Sequence, residues 1–143
     1  MIIPLENSDY IEASRIFITA FADAEYRKFQ SAWINRTKIH SLGLWKGKIL
    51  IGVAIVEGNR LHYIYIAGDH RSLGYGSKLL RAVLQLNPTL HLISVDNPTV
   101  HKWYVSHGFN LSQIDGPYRL YVHHDHNVRS RGQASTCLED SPL

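Results

Sequence analysis

The chain has 143 residues, which is enough for one domain and too few for two separate hydrophobic cores. Hydrophobic residues make up 45% of it and charged residues 19%, and this balance excludes a disordered or fibrous protein. The formal net charge of +3 comes from basic residues that are scattered along the chain, which argues against a nucleic-acid partner.

Three features indicate a cytoplasmic protein without a membrane partner. The longest apolar run, residues 49–56, is too short to cross a bilayer. The first residues lack the basic region and the small-residue cleavage site of a secretory signal. The one cysteine, Cys137, excludes an internal disulfide and fits a reducing compartment.

The composition changes towards the C-terminal end of the sequence. We expect a folded domain over residues 1–122 and a disordered polar tail over residues 123–143, because the tail has almost no apolar periodicity. Three histidines open this tail: His123, His124 and His126. Closely spaced histidines without a rigid frame make a weak zinc site, so we expect no bound metal.

The first half of the sequence predicts a strand, two helices and a three-stranded meander. The strand spans residues 2–5, and the helices begin near Asn7 and Ala24. The first helix is expected to bury one face, made of Ile11, Ser14, Ile18 and Phe21, with Phe17 beside them. The second helix ends near Asn35, and its apolar stripe consists of Tyr26, Phe29 and Trp33. Tight turns then separate three predicted strands, over residues 41–45, 48–56 and 61–67.

The second half predicts helices that alternate with strands. A loop over residues 68–76 leads into a helix and then a strand over residues 90–95, so the strands on either side of that helix should be parallel. Asn97 and Pro98 are typical of a helix start, and Gly108 of a helix end. A final hairpin pairs residues 110–114 with 118–122. These elements predict a mixed α/β fold, with about seven strands in one mixed, mostly antiparallel sheet and about four helices.

The segment from Arg71 to Lys78 has the composition of a phosphate-binding loop. It joins a strand to the start of a helix, where backbone N–H groups without helical partners and the helix dipole favour an anion. Gly74 and Gly76 allow close approach of a ligand to the backbone, and the Arg71 guanidinium suits phosphate oxygens. A plain turn between strand and helix is the alternative interpretation.

Two common nucleotide motifs do not match this segment. A P-loop requires Gly-Lys followed by Ser or Thr, whereas the order here is Gly76-Ser77-Lys78. A dinucleotide-binding loop requires a third glycine where this chain has Leu79.

Two motifs in order resemble the GNAT family of acyl-CoA-dependent N-acyltransferases. The first is Arg71-x-x-Gly74-x-Gly76, and the second runs from Asn97 through Trp103-Tyr104 to Gly108-Phe109. The resemblance covers roughly residues 1–122 and is specific over residues 61–109. It implies an N-acetyltransferase, with acetyl-CoA as cosubstrate and an amine as acceptor.

The resemblance also implies where acetyl-CoA binds. The sheet is expected to part between the third meander strand and the strand after the loop helix, and the pantetheine arm to lie in the gap beside Ile64 and Ile66. The diphosphate is expected on the loop residues Arg71, Ser72, Leu73, Gly74, Tyr75, Gly76 and Ser77. Asn97 is expected to contact the cofactor arm.

The implied reaction is direct attack of a neutral primary amine on the thioester in a ternary complex. Tyr104 would act as the general acid for the departing thiolate, because a phenol is protonated at neutral pH. From spacing alone, Tyr104 also fits the core-facing side of its helix, beside Val100, Trp103 and His107.

Several residues are candidates for the general base, because neither of the two parting strands contains the Glu found in many relatives. His62 is the first candidate, since an imidazole titrates near neutral pH and His62 has the same strand parity as Ile64 and Ile66. Asp96 and His91 follow, and an ordered water chain would also serve.

A protein with the same fold that binds acyl-CoA as a sensor, without turnover, is the alternative function. The sequence leaves open the acceptor amine, whether a small molecule or a protein, and also leaves open a homodimer. In the family, acceptor choice depends on segments that correspond here to residues 21–26 and 115–118.

Overall fold

The computed structural model describes residues 1–21 and 25–124. Within them the chain forms seven strands: β1 (Ile2–Pro4), β2 (Leu42–Lys46), β3 (Ile49–Glu57), β4 (Arg60–Ile66), β5 (His91–Val95), β6 (Phe109–Asp115) and β7 (Tyr118–His123). Four α-helices accompany them: α1 (Tyr10–Ala20), α2 (Tyr26–Asn35), α3 (Tyr75–Leu86) and α4 (Pro98–Ser106). Most of the predicted polar tail, with His126 and Cys137, lies outside the described residues, as do residues 22–24 of the predicted acceptor segment.

The strands form one sheet in the order β1-β2-β3-β4-β5-β7-β6. The β4–β5 pair is parallel and the other neighbours are antiparallel. The predicted α/β class, the strand and helix numbers and the parallel pair are therefore confirmed. No helix in the described part of the chain is long and apolar enough to cross a membrane.

The sheet separates two hydrophobic clusters. Helices α1 and α2 contribute Phe17, Phe29 and Trp33 to one cluster, together with Val53 and Tyr65 of the sheet. Helices α3 and α4 form the other cluster on the opposite face, through Leu79, Leu80, Val83, Trp103 and Tyr104. β3 supplies residues to both clusters, because its side chains alternate between the two faces.

The buried face of α1 differs from the predicted one. Ser14 and Phe17 are buried as predicted, but Ile11 is 76% exposed and Ile18 is 45% exposed, and Ile16 is buried instead. The reason is the fit against the sheet: the Phe17 ring packs edge-on against Tyr63 and Tyr65 of β4, at 5.1 and 5.7 Å between ring centroids. The small side chain of Ala13 also lets α1 come close to β4.

Replacing two isoleucines of α1 in turn tests which face of the helix packs against the hydrophobic core. Ile16→Ala should destabilise the protein by about 2–5 kcal/mol, because it removes buried methylene groups and leaves a cavity. Ile11→Ala makes the same chemical change at an exposed position, and we expect an effect of at most about 0.5 kcal/mol. Urea unfolding curves measure both values, and equal losses would contradict the observed orientation of α1.

Candidate active site

The sheet parts between β4 and β5. The two strands pair at one register position, Arg60 opposite His91, next to a 2.8 Å hydrogen bond from the His91 N–H to the Asn59 carbonyl. Beyond that point Ile64 and Ile66 pair with β3 on one side, and no described strand pairs with them on the other. β4 therefore presents backbone donors and acceptors to an open gap.

The loop that follows β4 leaves a row of backbone N–H groups without acceptors. Ser72 and Gly74 have positive φ angles of 63° and 87°, and α3 begins directly after Gly74, at Tyr75. Within the described residues, no backbone or side-chain acceptor bonds to the N–H groups of residues 72–77. Such a row at a helix N-terminus binds anions.

Arg71 fastens this loop to the end of β4. Its Nε donates to the carbonyl of Ile66 at 2.9 Å. The two terminal nitrogens of its guanidinium have no acceptor among residues 1–21 and 25–124, so they are available to an anion at the loop. Leu73 is largely exposed at the loop surface.

Ser77 connects the start of α3 to α4. Its Oγ accepts a 3.2 Å hydrogen bond from Nε1 of Trp103, which is fully buried. Gly76, in the same turn, is buried against the core. The loop and the helix that carries Tyr104 are thus joined directly.

Asn97 starts α4 as predicted. Its Oδ1 accepts from the N–H groups of Thr99 at 3.0 Å and Val100 at 3.2 Å, and Pro98 follows at the first helical position. The capping bonds occupy the side-chain oxygen, so the Nδ2 group is the part of Asn97 that can reach a ligand.

Tyr104 lies in an apolar environment. Its ring contacts Phe109 at 5.4 Å and Tyr121 at 5.5 Å, and it belongs to the same cluster as Ile64 and Ile66 of the parted strand. Burial raises the pKa of the Tyr104 phenol far above its usual range, and the neighbouring Tyr121 adds to the effect. The hydroxyl has no hydrogen-bond partner in the described part of the chain, and it is protonated at neutral pH.

A cavity of about 400 Å³ lies on the other side of the gap, beside α2. Its wall includes His62 and Tyr63 of β4 and the β5 residues Ile93, Ser94 and Val95. Charged groups of both signs also line it: Glu25, Lys28, Glu57 and Arg60. A polar acceptor can therefore approach the gap from the face opposite α3.

His62 occupies a β-bulge. Ile55 and Val56 of β3 pair with Tyr63 and Leu61, which leaves His62 without a partner on β3. The predicted parity of His62 with Ile64 and Ile66 is therefore wrong: His62 lines the cavity beside α2, whereas the two isoleucines pack with α3 and α4.

His62 is hydrogen bonded to Glu57. The Nε2 atom of His62 lies 3.0 Å from Oε1 of Glu57. Burial lowers the pKa of the His62 imidazole, and the Glu57 carboxylate opposes that effect. Sequence reasoning missed Glu57 because an acidic residue was expected only in the two parting strands, and Glu57 ends the strand before them.

The other two candidate bases lie in different surroundings. Asp96 forms an ion pair with Arg119 at 3.2 Å, so its carboxylate is already engaged. His91 lies at the closed end of the gap, where β5 pairs with β4.

A family model described as an acetyltransferase (GNAT) domain matches residues 38–111, more than half of the chain. The chain belongs to the GNAT family. No curated protein matches the chain.

Several solved structures share the fold. PH1933 from Pyrococcus horikoshii is 15% identical, with 88% of this chain and 98% of that chain covered and a TM-score of 0.74. Naa50 from Arabidopsis thaliana, in complex with the bisubstrate analogue CoA-Ac-MVNAL, is 12% identical over 85% of this chain and 95% of that one, with a TM-score of 0.69. The ribosomal-protein-S18-alanine N-acetyltransferase from Escherichia coli is 20% identical over 85% and 89%, with a TM-score of 0.66.

Two substitutions of Asn97 test its capping role in α4. Asn97→Ala removes the cap of α4 and should destabilise the protein by about 1 kcal/mol. Asn97→Ser keeps a hydroxyl that can accept the same backbone bonds, so we expect it to retain most of that stability. Chemical denaturation measures both, and an unchanged stability of Asn97→Ala would show that the cap bonds contribute little.

Proposed function

We propose that the chain is an N-acetyltransferase that moves the acetyl group of acetyl-CoA to a primary amine. The observation that carries this proposal is the gap between β4 and β5, which opens towards a helix start with unbonded N–H groups. A long thioester with a diphosphate fits this combination, because one end requires an anion site and the other an exposed strand edge. The CoA-containing complex of the similarly folded Naa50 adds support.

The loop would hold the diphosphate through the N–H groups of residues 72–77 and through Arg71. These residues are Ser72, Leu73, Gly74, Tyr75, Gly76 and Ser77. The pantetheine arm would add to the edge of β4 beside Ile64 and Ile66, and Asn97 would contact it through Nδ2. The fit rests on two features of the described residues: their loop N–H groups without acceptors, and the open space at Gly74, where none of their atoms would lie within 4 Å of a β-carbon.

Acetyl-CoA supplies the activated acetyl thioester. His62 would take a proton from the acceptor ammonium and leave a neutral amine that can attack the thioester carbonyl. Tyr104 would protonate the departing sulfur, and its burial keeps the phenol in the protonated form that an acid needs. The gap between β4 and β5 would bring both reactants together, which favours direct transfer without a covalent enzyme intermediate.

The cavity beside α2 would receive the acceptor. Glu25 and Glu57 favour a cationic amine there, and Tyr63 and Tyr118 provide aromatic surface. The acceptor would be a small molecule or a protein amine; the similarly folded Escherichia coli enzyme is an N-acetyltransferase for alanine of ribosomal protein S18. The single Cys137 supports a cytoplasmic location for this reaction.

Gly74→Val should abolish binding of CoA measured by calorimetry. A branched side chain at this position occupies space that the phosphates need, and the positive φ of 87° strains it. Gly47→Val is the matched control, because Gly47 also has a positive φ, 63°, and open surroundings but lies in the turn between β2 and β3. Normal CoA affinity in the Gly74 variant would contradict the assignment of the loop.

Tyr104→Phe should lower kcat by about 10²–10⁴-fold and leave CoA affinity unchanged, because it removes only the proton donor. Transfer of labelled acetyl to a panel of amines measures the rate. Tyr10→Phe, which removes a hydroxyl between α1 and α2, is the control and should keep the wild-type rate. Tight CoA binding by the wild type without transfer to any amine would favour the sensor function instead.

A further inference from the structure

Glu57 and His62 form a carboxylate–imidazole pair at the edge of the cavity. Glu57 is the last residue of β3, and His62 lies in the bulge of β4 across from it. The bulge brings them together: in the register of the two strands Glu57 lies opposite Arg60, yet its Oε1 bonds to His62 at 3.0 Å. The His62 side chain is 19% exposed and that of Glu57 is 48% exposed, so the pair is partly shielded and still reaches solvent.

This pairing decides which imidazole nitrogen is the base. An ionised carboxylate only accepts hydrogen bonds. Nε2 of His62 must therefore be the protonated nitrogen, and it donates its hydrogen bond to Glu57. The lone pair of the neutral ring then lies on Nδ1. His62 lines the cavity, and among the residues that the structure describes no group bonds to its Nδ1.

We propose that Glu57 is a positioning residue: it holds His62 in the Nε2–H form, so that Nδ1 deprotonates the acceptor ammonium, and it stabilises the imidazolium that forms. This proposal rests on the proposed function. In the step, an N–H bond of the ammonium breaks and its electron pair stays on nitrogen, while an Nδ1–H bond forms on His62. The positive charge passes from the substrate to the ring beside the Glu57 carboxylate, and the proton later leaves to solvent through the open cavity.

The charges around His62 explain why the carboxylate is required. Burial, Arg60 on the same strand and His91 on β5 each lower the pKa of the imidazole, and Glu57 on β3 raises it. The other titratable groups of the cavity come from the segment before α2, from α2, from β4 and from β7: Glu25, Lys28, Tyr63 and Tyr118. Without Glu57 the remaining influences on His62 are mainly unfavourable to the imidazolium, and the ring would be a weaker base.

The first measurement follows the imidazole itself and needs no turnover. NMR titration of the histidines in the CoA-free protein gives the pKa of His62, and a His62→Gln spectrum identifies its signal among the nine histidines of the chain. Glu57→Gln should lower the pKa of His62 by about one pH unit, because it removes the charge and keeps the shape. Glu25→Gln is the matched control: it removes a carboxylate from the same cavity that does not bond to His62, and it should shift this pKa far less.

The second measurement is the pH dependence of kcat/KM for acetyl transfer. Activity should rise with pH through the pKa of His62, since the base must be neutral. In Glu57→Gln this rise should move to lower pH by the amount that NMR gives, and the plateau should fall about tenfold because a weaker base remains. Glu12→Gln, an exposed carboxylate on α1, should reproduce the wild-type profile.

The outcomes distinguish this proposal from the proposed function. Transfer by the wild type together with an unchanged profile in Glu57→Gln would overturn the role of Glu57 and leave the acetyltransferase intact. An unchanged pKa of His62 in that variant would also overturn it. Absence of transfer to any amine by the wild type would remove the proposed function and the role of Glu57 with it, whatever the titration shows.

Discussion

The arrangement of the site depends on where β4 and β5 stop pairing. The pairing at Arg60 and His91 closes one end of the gap, and the side chain of Asn87, at the end of α3, adds a 2.8 Å bond to the carbonyl of Gly58 beside it. From there the strands separate because each continues in its own sheet half, β4 with β3 and β5 with β7. The single sheet thus contains a gap that is bordered by the backbones of β4 and β5, and α3 begins at its open end.

The two faces of the gap provide different environments for proton transfer. Tyr104 lies on the apolar face, where burial disfavours the phenolate, and His62 lies at the polar cavity, where partial burial disfavours the imidazolium. Desolvation favours the neutral form of any group, so it keeps the acid protonated and the base unprotonated at the same pH. Burial therefore holds both Tyr104 and His62 in the protonation state that the proposed reaction needs. The Glu57 carboxylate limits the fall in the pKa of His62.

Local signals in the sequence predicted local structure well. The cap at Asn97, the turn glycines and the order of strands and helices follow from backbone chemistry within a few residues, and the structure confirms them. The prediction that α1 buries Ile11 and Ile18 was wrong because helical spacing permits more than one apolar stripe, and only packing in the folded protein selects Ile16. The bulge at His62 was missed because it depends on the register between two strands, which alternation in one strand does not contain. The partner of His62 was missed with it.

The bond from Trp103 to Ser77 makes the indole a natural reporter of the loop. Trp103 is fully buried, and its N–H points to the first turn of α3, next to the unbonded N–H groups. An anion that settles on that turn changes the electric field along the indole N–H and, through it, the excited-state dipole of the ring. The same bond ties the helix of Tyr104 to the first turn of α3. Under the proposed function, CoA bound at the loop is therefore expected to shift the fluorescence emission of Trp103.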